Sequence, residues 1–181
     1  MAAGATVHTF SVNLADVDRG VYEELSLRVA RHPSETDAFM MTRVLAYCIE
    51  YEEGIAFSEG ISATDEPAVL VRDRTGRVTA WIEVGAPDAE RLHYGSRLAD
   101  RTRVYTHRDP AKLVASWAGK RIHQADAIVV HSFDAGFIDA AASRLERRST
   151  MTLSITERRL YLELNGATLD SAVHDLALDA A

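Results

Sequence analysis

Two carboxylates, Asp65 and Glu83, stand where a folded-back chain would bring them together. Between them the chain reads Ala68-Val69-Leu70-Val71-Arg72-Asp73, a turn at Arg74-Thr75-Gly76, and then Val78-Thr79-Ala80-Trp81-Ile82-Glu83-Val84-Gly85. Apolar, β-branched runs on either side of a glycine-bearing turn form a β-hairpin. With the turn centred near Thr75, Glu83 falls opposite about residue 67 and close to Asp65. An antiparallel pair that gathers carboxylate oxygens at one end suits a hard divalent cation. The plainer alternative is that Asp65 and Glu66 open a strand while Glu83 closes one at solvent.

Charge is unevenly spread. The chain carries a net charge of −7, which argues against a wholly basic nucleic-acid binder. Residues 91–121 nevertheless hold Arg91, Arg97, Arg101, Arg103, Arg108, Lys112, Lys120 and Arg121 against only Asp100 and Asp109. A cationic face beside an acidic site is what phosphate-backbone binding requires; a solvated helical surface of mixed charge is the alternative.

Other chemistries lack their motifs. Gly119-Lys120 has no upstream glycine to make a phosphate-cradling loop, and there is no Gly-x-Gly-x-x-Gly or Gly-x-Ser-x-Gly run. The seven histidines show no pair one helical turn apart, the spacing of a zinc helix. His107 and His131 each follow a predicted strand and can approach each other, or serve simply as caps or surface groups. Cys48 is the sole cysteine, which rules out an internal disulfide and a cysteine zinc cluster.

The elements that must position these groups follow from periodicity. Thr6–Leu14 and Val21–Val29 alternate as a half-buried antiparallel hairpin. His32-Pro33-Ser34-Glu35-Thr36-Asp37 announces a helix that Ser34 can cap, with a buried stripe of Met40, Val44 and Cys48 beside Met41, Leu45 and Ile49. Glu52-Glu53-Gly54 ends it. After the hairpin of residues 65–85, a helix runs from Pro87 to about Asp100, a strand over Thr102–His107, a helix from Asp109 to about Ala118, and a strand over Ala127–His131. Strand–helix–strand succession implies parallel pairing through right-handed crossovers. Asp134–Arg148 reads as another amphipathic helix, and Met151–Ile155 with Leu160–Leu164 as a hairpin around Glu157-Arg158. The tail after Asn165 is weakly specified.

At 181 residues, with 47% apolar and 26% charged residues, the chain has the composition of one soluble globular domain. Residues Met1–Thr6 carry neither a basic n-region nor an apolar h-region, and no apolar run nears the ~20 residues that span a bilayer. The expectation is a cytoplasmic protein with no membrane partner.

Four segments carry a more specific resemblance. Arg31-His32-Pro33-Ser34-Glu35-Thr36, Asp65-Glu66-Pro67, Trp81-Ile82-Glu83-Val84-Gly85-Ala86-Pro87-Asp88 and Met151-Thr152-Leu153 resemble, in order and across nearly the whole chain, signatures of the YaeQ family. That family is similar in fold to the PD-(D/E)XK nuclease superfamily. The resemblance implies an α/β fold with a mixed central β-sheet flanked by helices: a restriction-endonuclease-like core with extra N- and C-terminal β-hairpins, in one domain over residues 1–181. It also implies a metal-binding aspartate and a Glu-x-Lys pattern that together hold Mg²⁺ or Mn²⁺ and activate water. On that pattern Asp65 matches the first metal aspartate and Glu83 the second carboxylate. The backbone carbonyl of Val84 is a further ligand, and Glu35 matches the acid of the first core helix.

The lysine of that pattern falls at Gly85, and the only lysines, Lys112 and Lys120, lie well beyond it. The following helix offers Arg91, His93, Tyr94 and Arg97. Arg91 and Arg97 suit phosphate, and His93 suits proton transfer, because arginine does not readily accept a proton. Two functions stay open: a Mg²⁺-dependent nuclease or phosphodiesterase, and a catalytically silent nuclease-fold module that binds nucleic acid or a protein partner.

Overall fold

The computed structural model describes residues 4–58 and 65–178. It is a mixed α/β fold: β1 (Thr6–Asp16), β2 (Val21–Arg31), α1 (Asp37–Ile49), β3 (Ile55–Phe57), β4 (Val69–Arg72), β5 (Val78–Val84), α2 (Ala89–Leu98), β6 (Arg101–Tyr105), α3 (Pro110–Ser116), β7 (Val129–Phe133), α4 (Phe137–Ala142), β8 (Arg148–Thr156), β9 (Arg159–Leu164) and β10 (Ala167–Ala177). The chain forms two compact units, residues 1–41 with 133–173 and residues 42–132 with 174–181.

In the first unit the strands lie in the order β2-β1-β8-β9-β10. The expected N-terminal hairpin forms, antiparallel from Thr6↔Arg31 to Asp16↔Val21. Alternation decides which face is buried: β1 buries Phe10, Val12 and Leu14, β8 buries Met151, Leu153 and Ile155, and β9 buries Leu160, Leu162 and Leu164. The β8–β9 turn puts both Glu157 and Arg158 at positive φ, 51° and 60°. Their N–H groups donate to the Asp18 carboxylate at 2.7 and 2.9 Å, which offsets that backbone cost.

Three expectations are corrected here. The helix expected over Asp134–Arg148 is confined to Phe137–Ala142, because Arg148 already begins β8, in parallel register with Thr9 of β1. Pairing with a distant strand overrides local helical periodicity. The tail after Asn165 forms β10, antiparallel to β9; Thr168, Asp170, Ser171 and His174 hide its strand pattern. Thr36, rather than Ser34, caps α1: its hydroxyl accepts from Phe39 N–H at 3.0 Å, while the Ser34 hydroxyl bonds His32 Nδ1.

In the second unit the order is β7-β6-β5-β4-β3. β3, β4 and β5 pair antiparallel, while β5, β6 and β7 are parallel, with α2 and α3 in the crossovers. The short β3 follows the end of α1 at Ile49, earlier than the expected Glu52-Glu53-Gly54. α2 and α3 cover an apolar cluster that includes Leu92, Val104, Leu113, Trp117, Ile128 and Val130. The stripe of α1 is buried as its spacing requires, and burial pushes the Cys48 thiol up to about 12. Among the described residues no helix is long and apolar enough to cross a membrane.

The central hairpin forms with Val69↔Ile82 and Leu70↔Trp81 in register and a shift at Val71/Arg72. Its turn is tied by Asp73, whose carboxylate accepts from the N–H groups of Thr75 and Arg77. Continued by one pair, that register sets Glu83 opposite Ala68, one residue from the expected position.

Candidate functional site

Trp81 and Glu83 alternate with Ile82 along β5 and so share one face. That face receives α2. Asp88 caps the helix by accepting from Arg91 N–H at 2.9 Å, and Gly95 lies directly on the Trp81 ring. A Cβ at Gly95 would stand 2.4 Å from the indole, so only glycine lets the helix approach this closely. Tyr94 meets the same indole edge-on at 5.5 Å between centroids. This close seating brings Arg91, in the first turn of α2, over the end of β5.

There the two residues join. Glu83, 4% exposed, accepts from Arg91 through both oxygens: Oε2 from Nε at 3.0 Å and Oε1 from Nη2 at 2.9 Å. Oε1 also accepts from Trp81 Nε1 at 3.0 Å. Arg91 Nη2 donates further to the backbone carbonyl of Glu66 at 2.7 Å. The guanidinium therefore bridges the chain leading into β4 and the carboxylate near the end of β5. Burial pushes the Glu83 carboxyl above the usual carboxylate range, against the Arg91 and Trp81 bonds that pull it down. The same Glu83 bonds hold Arg91 more firmly charged.

The other expected site residues are placed as follows. Asp65 is exposed, beside the Glu66 carbonyl that Arg91 holds. Val84 ends β5 in register with Tyr105 of β6. Gly85 turns the chain at φ 87°, its N–H on the Tyr105 carbonyl at 2.9 Å. Any other residue at this position would carry a side chain in the left-handed region, which favours glycine. Arg97 is exposed in the last turn of α2. His93, two residues from Arg91 and so on a different helix face, accepts from His123 N–H through Nδ1 at 3.0 Å. Glu35 is buried in the first unit. The structure thus brings Glu83 and Arg91 together and gives His93 and Arg97 other surroundings.

As arranged, these groups do not fit a divalent cation. Both Glu83 oxygens receive N–H donors, and a cation would meet the guanidinium's like charge at the same carboxylate. Among the described residues no three His, Cys, Asp or Glu side chains are grouped to hold a metal.

Part of the basic run is spent internally. Arg101 reaches Glu50 and Glu52 at 3.4 and 3.3 Å, and Arg103 donates to the Thr102 carbonyl at 3.0 Å. Arg97, Arg108, Lys112, Lys120 and Arg121 are exposed. Sequence reasoning missed three structural supports. Trp81 orients Glu83, and its position two residues before Glu83 on a strand was a usable signal. Arg43, 1% exposed on α1, donates to the carbonyls of Ala68 at 3.2 Å and Ser58 at 2.6 Å. Tyr105 donates to Glu50 at 3.1 Å and stacks on His131, whose Nδ1 lies 2.6 Å from Asp175 Oδ1. His131 thus partners Tyr105 and Asp175. Their separations of 26 and 44 residues left no signal in the sequence.

Comparison with known proteins supplies relatives for this arrangement. Two solved structures share the fold: YaeQ from Pseudomonas syringae, 31% identical with a TM-score of 0.86 over 97% of this chain and 98% of that one, and YaeQ from Xanthomonas axonopodis pv. citri, 26% identical with the same TM-score over 96% and 98%. The Escherichia coli (strain K12) protein described as "Uncharacterized protein YaeQ" is 38% identical over 111 residues, and its Salmonella typhi counterpart 37%. Those alignments span 61% of this chain and 61% of the length of these relatives. The model of the family described as "YaeQ protein" matches residues 1–173, a stretch that contains β5, α2 and the Glu83–Arg91 pair they hold, and by that match this chain belongs to the YaeQ family.

Proposed function

We propose that this chain is a nuclease-fold binding module of the PD-(D/E)XK type, whose carboxylate site is closed by its own arginine and which holds nucleic acid without cutting it. One observation carries the reading: the Arg91 guanidinium bridges the Glu83 carboxylate and the Glu66 carbonyl, the two sides of the hairpin between which the superfamily pattern sets a cation. Gly85 at positive φ adds to it, since the slot for a water-activating lysine disfavours any side chain. The exposed cations Arg97, Arg108, Lys112, Lys120 and Arg121 supply phosphate contacts by charge alone.

Purified protein should bind single- or double-stranded DNA or RNA with an affinity that falls steeply with salt, and Arg97→Ala and Arg121→Ala should each weaken it. Incubation with Mg²⁺ or Mn²⁺ should leave the substrate intact. No binding at low salt would redirect the reading to a protein partner.

The second reading is a Mg²⁺-dependent nuclease or phosphodiesterase using Asp65 and Glu83. It is favoured by the same convergence, because oxygens of Glu66 and Glu83 already meet around one positive charge. It requires Arg91 to leave Glu83, for instance toward a substrate phosphate. Cleavage that needs Mg²⁺ and disappears in Glu83→Gln would establish it and overturn the silent module.

A further inference from the structure

β2 ends the strand order and, among the described residues, pairs on one side only, with β1. It is eleven residues long, VYEELSLRVAR, with neither proline nor glycine, and its ladder with β1 runs without a register break. Edge strands are ordinarily short, bulged or interrupted by proline, because their open row of N–H and C=O groups is a template for another strand. This edge has none of those devices. What it has is charge, and the order of the charges is informative.

One face of β2 carries Tyr22, Glu24, Ser26, Arg28 and Ala30, all exposed, with Tyr22 at 64%. Neither Glu24 nor Arg28 makes an ion pair within the chain among the described residues. Two copies of β2 related by a two-fold axis perpendicular to the sheet run antiparallel and keep each face on its own side. Such a pair is centred on a residue that meets its own counterpart. Centred on Ser26, Glu24 of each copy stands opposite Arg28 of the other, and Tyr22 opposite Ala30. On the reverse face Leu25 meets Leu27, and Glu23 lies opposite Val29. Centred one residue earlier, on Leu25, Arg28 faces Tyr22 and Glu24 faces Ser26. Centred one residue later, on Leu27, Glu24 faces Ala30, Arg28 faces Ser26, and Glu23 faces Arg31, which already pairs with Asp37 at 3.3 Å in its own chain. Of these three, only the Ser26 register joins two charges that have no other partner, and opposite charges directly across a strand pair stabilise it.

We propose that β2 is a dimerisation edge, and that its partner is the β2 strand of a second copy of this chain, antiparallel and centred on Ser26. The inference stands apart from the Glu83–Arg91 site and from any ligand.

Sedimentation of the full chain, from micromolar to submillimolar concentration, should show a reversible monomer–dimer equilibrium that weakens with salt. Arg28→Glu or Glu24→Arg sets like charges opposite each other twice and should weaken the dimer about tenfold or more. The double variant E24R/R28E restores opposite pairs and should recover the wild-type association constant. Thermal melts verify that every variant is folded; both sites are exposed, so the fold should be unaffected. A wild type that stays monomeric throughout overturns the proposal. So does a dimer indifferent to the single substitutions, or a double variant as weak as the singles.

Discussion

β1, β8 and β9 of the first unit alternate between buried and wetter side chains, whereas β5 and β7 of the other unit are buried on both faces over most of their length. The difference sorts the charges. On the first sheet most stand in water, with Asp16, 2% exposed at the end of β1 and held by Arg19, the exception: Arg159 and Asp170 pair across β9 and β10 with both side chains about half exposed. In the second unit a charge is either internally satisfied or expelled. Glu83 lies under Arg91 and Trp81, Arg43 is spent on two carbonyls, and Glu50 takes Tyr105 and Arg101. A wet pair is worth little because water solvates either partner alone. A buried carboxylate such as Glu83 has no such fallback, so its loss should cost more than the loss of a half-exposed one such as Asp170.

The sharpest way to break this comparison is to remove one carboxylate from each unit. Glu83→Ala strips the part-buried Arg91 guanidinium of its carboxylate and should cost about 3 kcal/mol in urea denaturation, the low end for a broken buried pair because Arg91 keeps some water and the Glu66 carbonyl. Asp170→Ala should cost less than about 1 kcal/mol. The double variant E83A/R91M should recover much of the Glu83→Ala loss, since it removes both charges together. Equal costs at Glu83 and Asp170 would refute the contrast.

A smaller effect is expected at the helix contact that positions Arg91. Gly95→Ala pushes a methyl into the Trp81 indole and should destabilise by about 1–3 kcal/mol. A shift in tryptophan fluorescence should accompany it, and an unchanged melt would mean that α2 can back away.

The smallest effect lies in the first unit and is read through pH. The N–H groups of Arg158, then Glu157, hold the Asp18 carboxyl below its ordinary 3.8. A carboxyl lowered in the folded state contributes stability above its unfolded value and loses it as the pH falls through the folded one. The gap in melting temperature between wild type and Asp18→Ala should therefore be full near neutral pH and close below about pH 3.8. A gap that persists there would mean that the turn is held by geometry rather than by the charge.

Most of the fold was legible because most of its elements carry a local signal. Period-two burial announced β1, β2, β8 and β9, and Asp88 and Asp109 marked the starts of α2 and α3. The failures have different causes: α4 is cut short where β8 pairs with β1, far away along the chain, whereas β10 makes a tight hairpin with β9 about Asn165-Gly166, both at positive φ, a local turn signal that strand periodicity alone does not record. The site divides along the same line. Glu83 and the hairpin that carries it were readable from alternation and turn residues. The capture of Glu83 by Arg91 depends on Asp88 fixing the first turn of α2 and on Gly95 letting that helix sit against Trp81.

The sequence by itself determined the residue types, the faces of the strands and the family, because side-chain alternation, caps and motif spacing are properties of neighbours along the chain. Only the tertiary structure decided which cation Glu83 meets. An arginine eight residues further on, seated in α2, places a guanidinium there within hydrogen-bond reach, and the strength of that contact comes from a burial that no local stretch of sequence specifies.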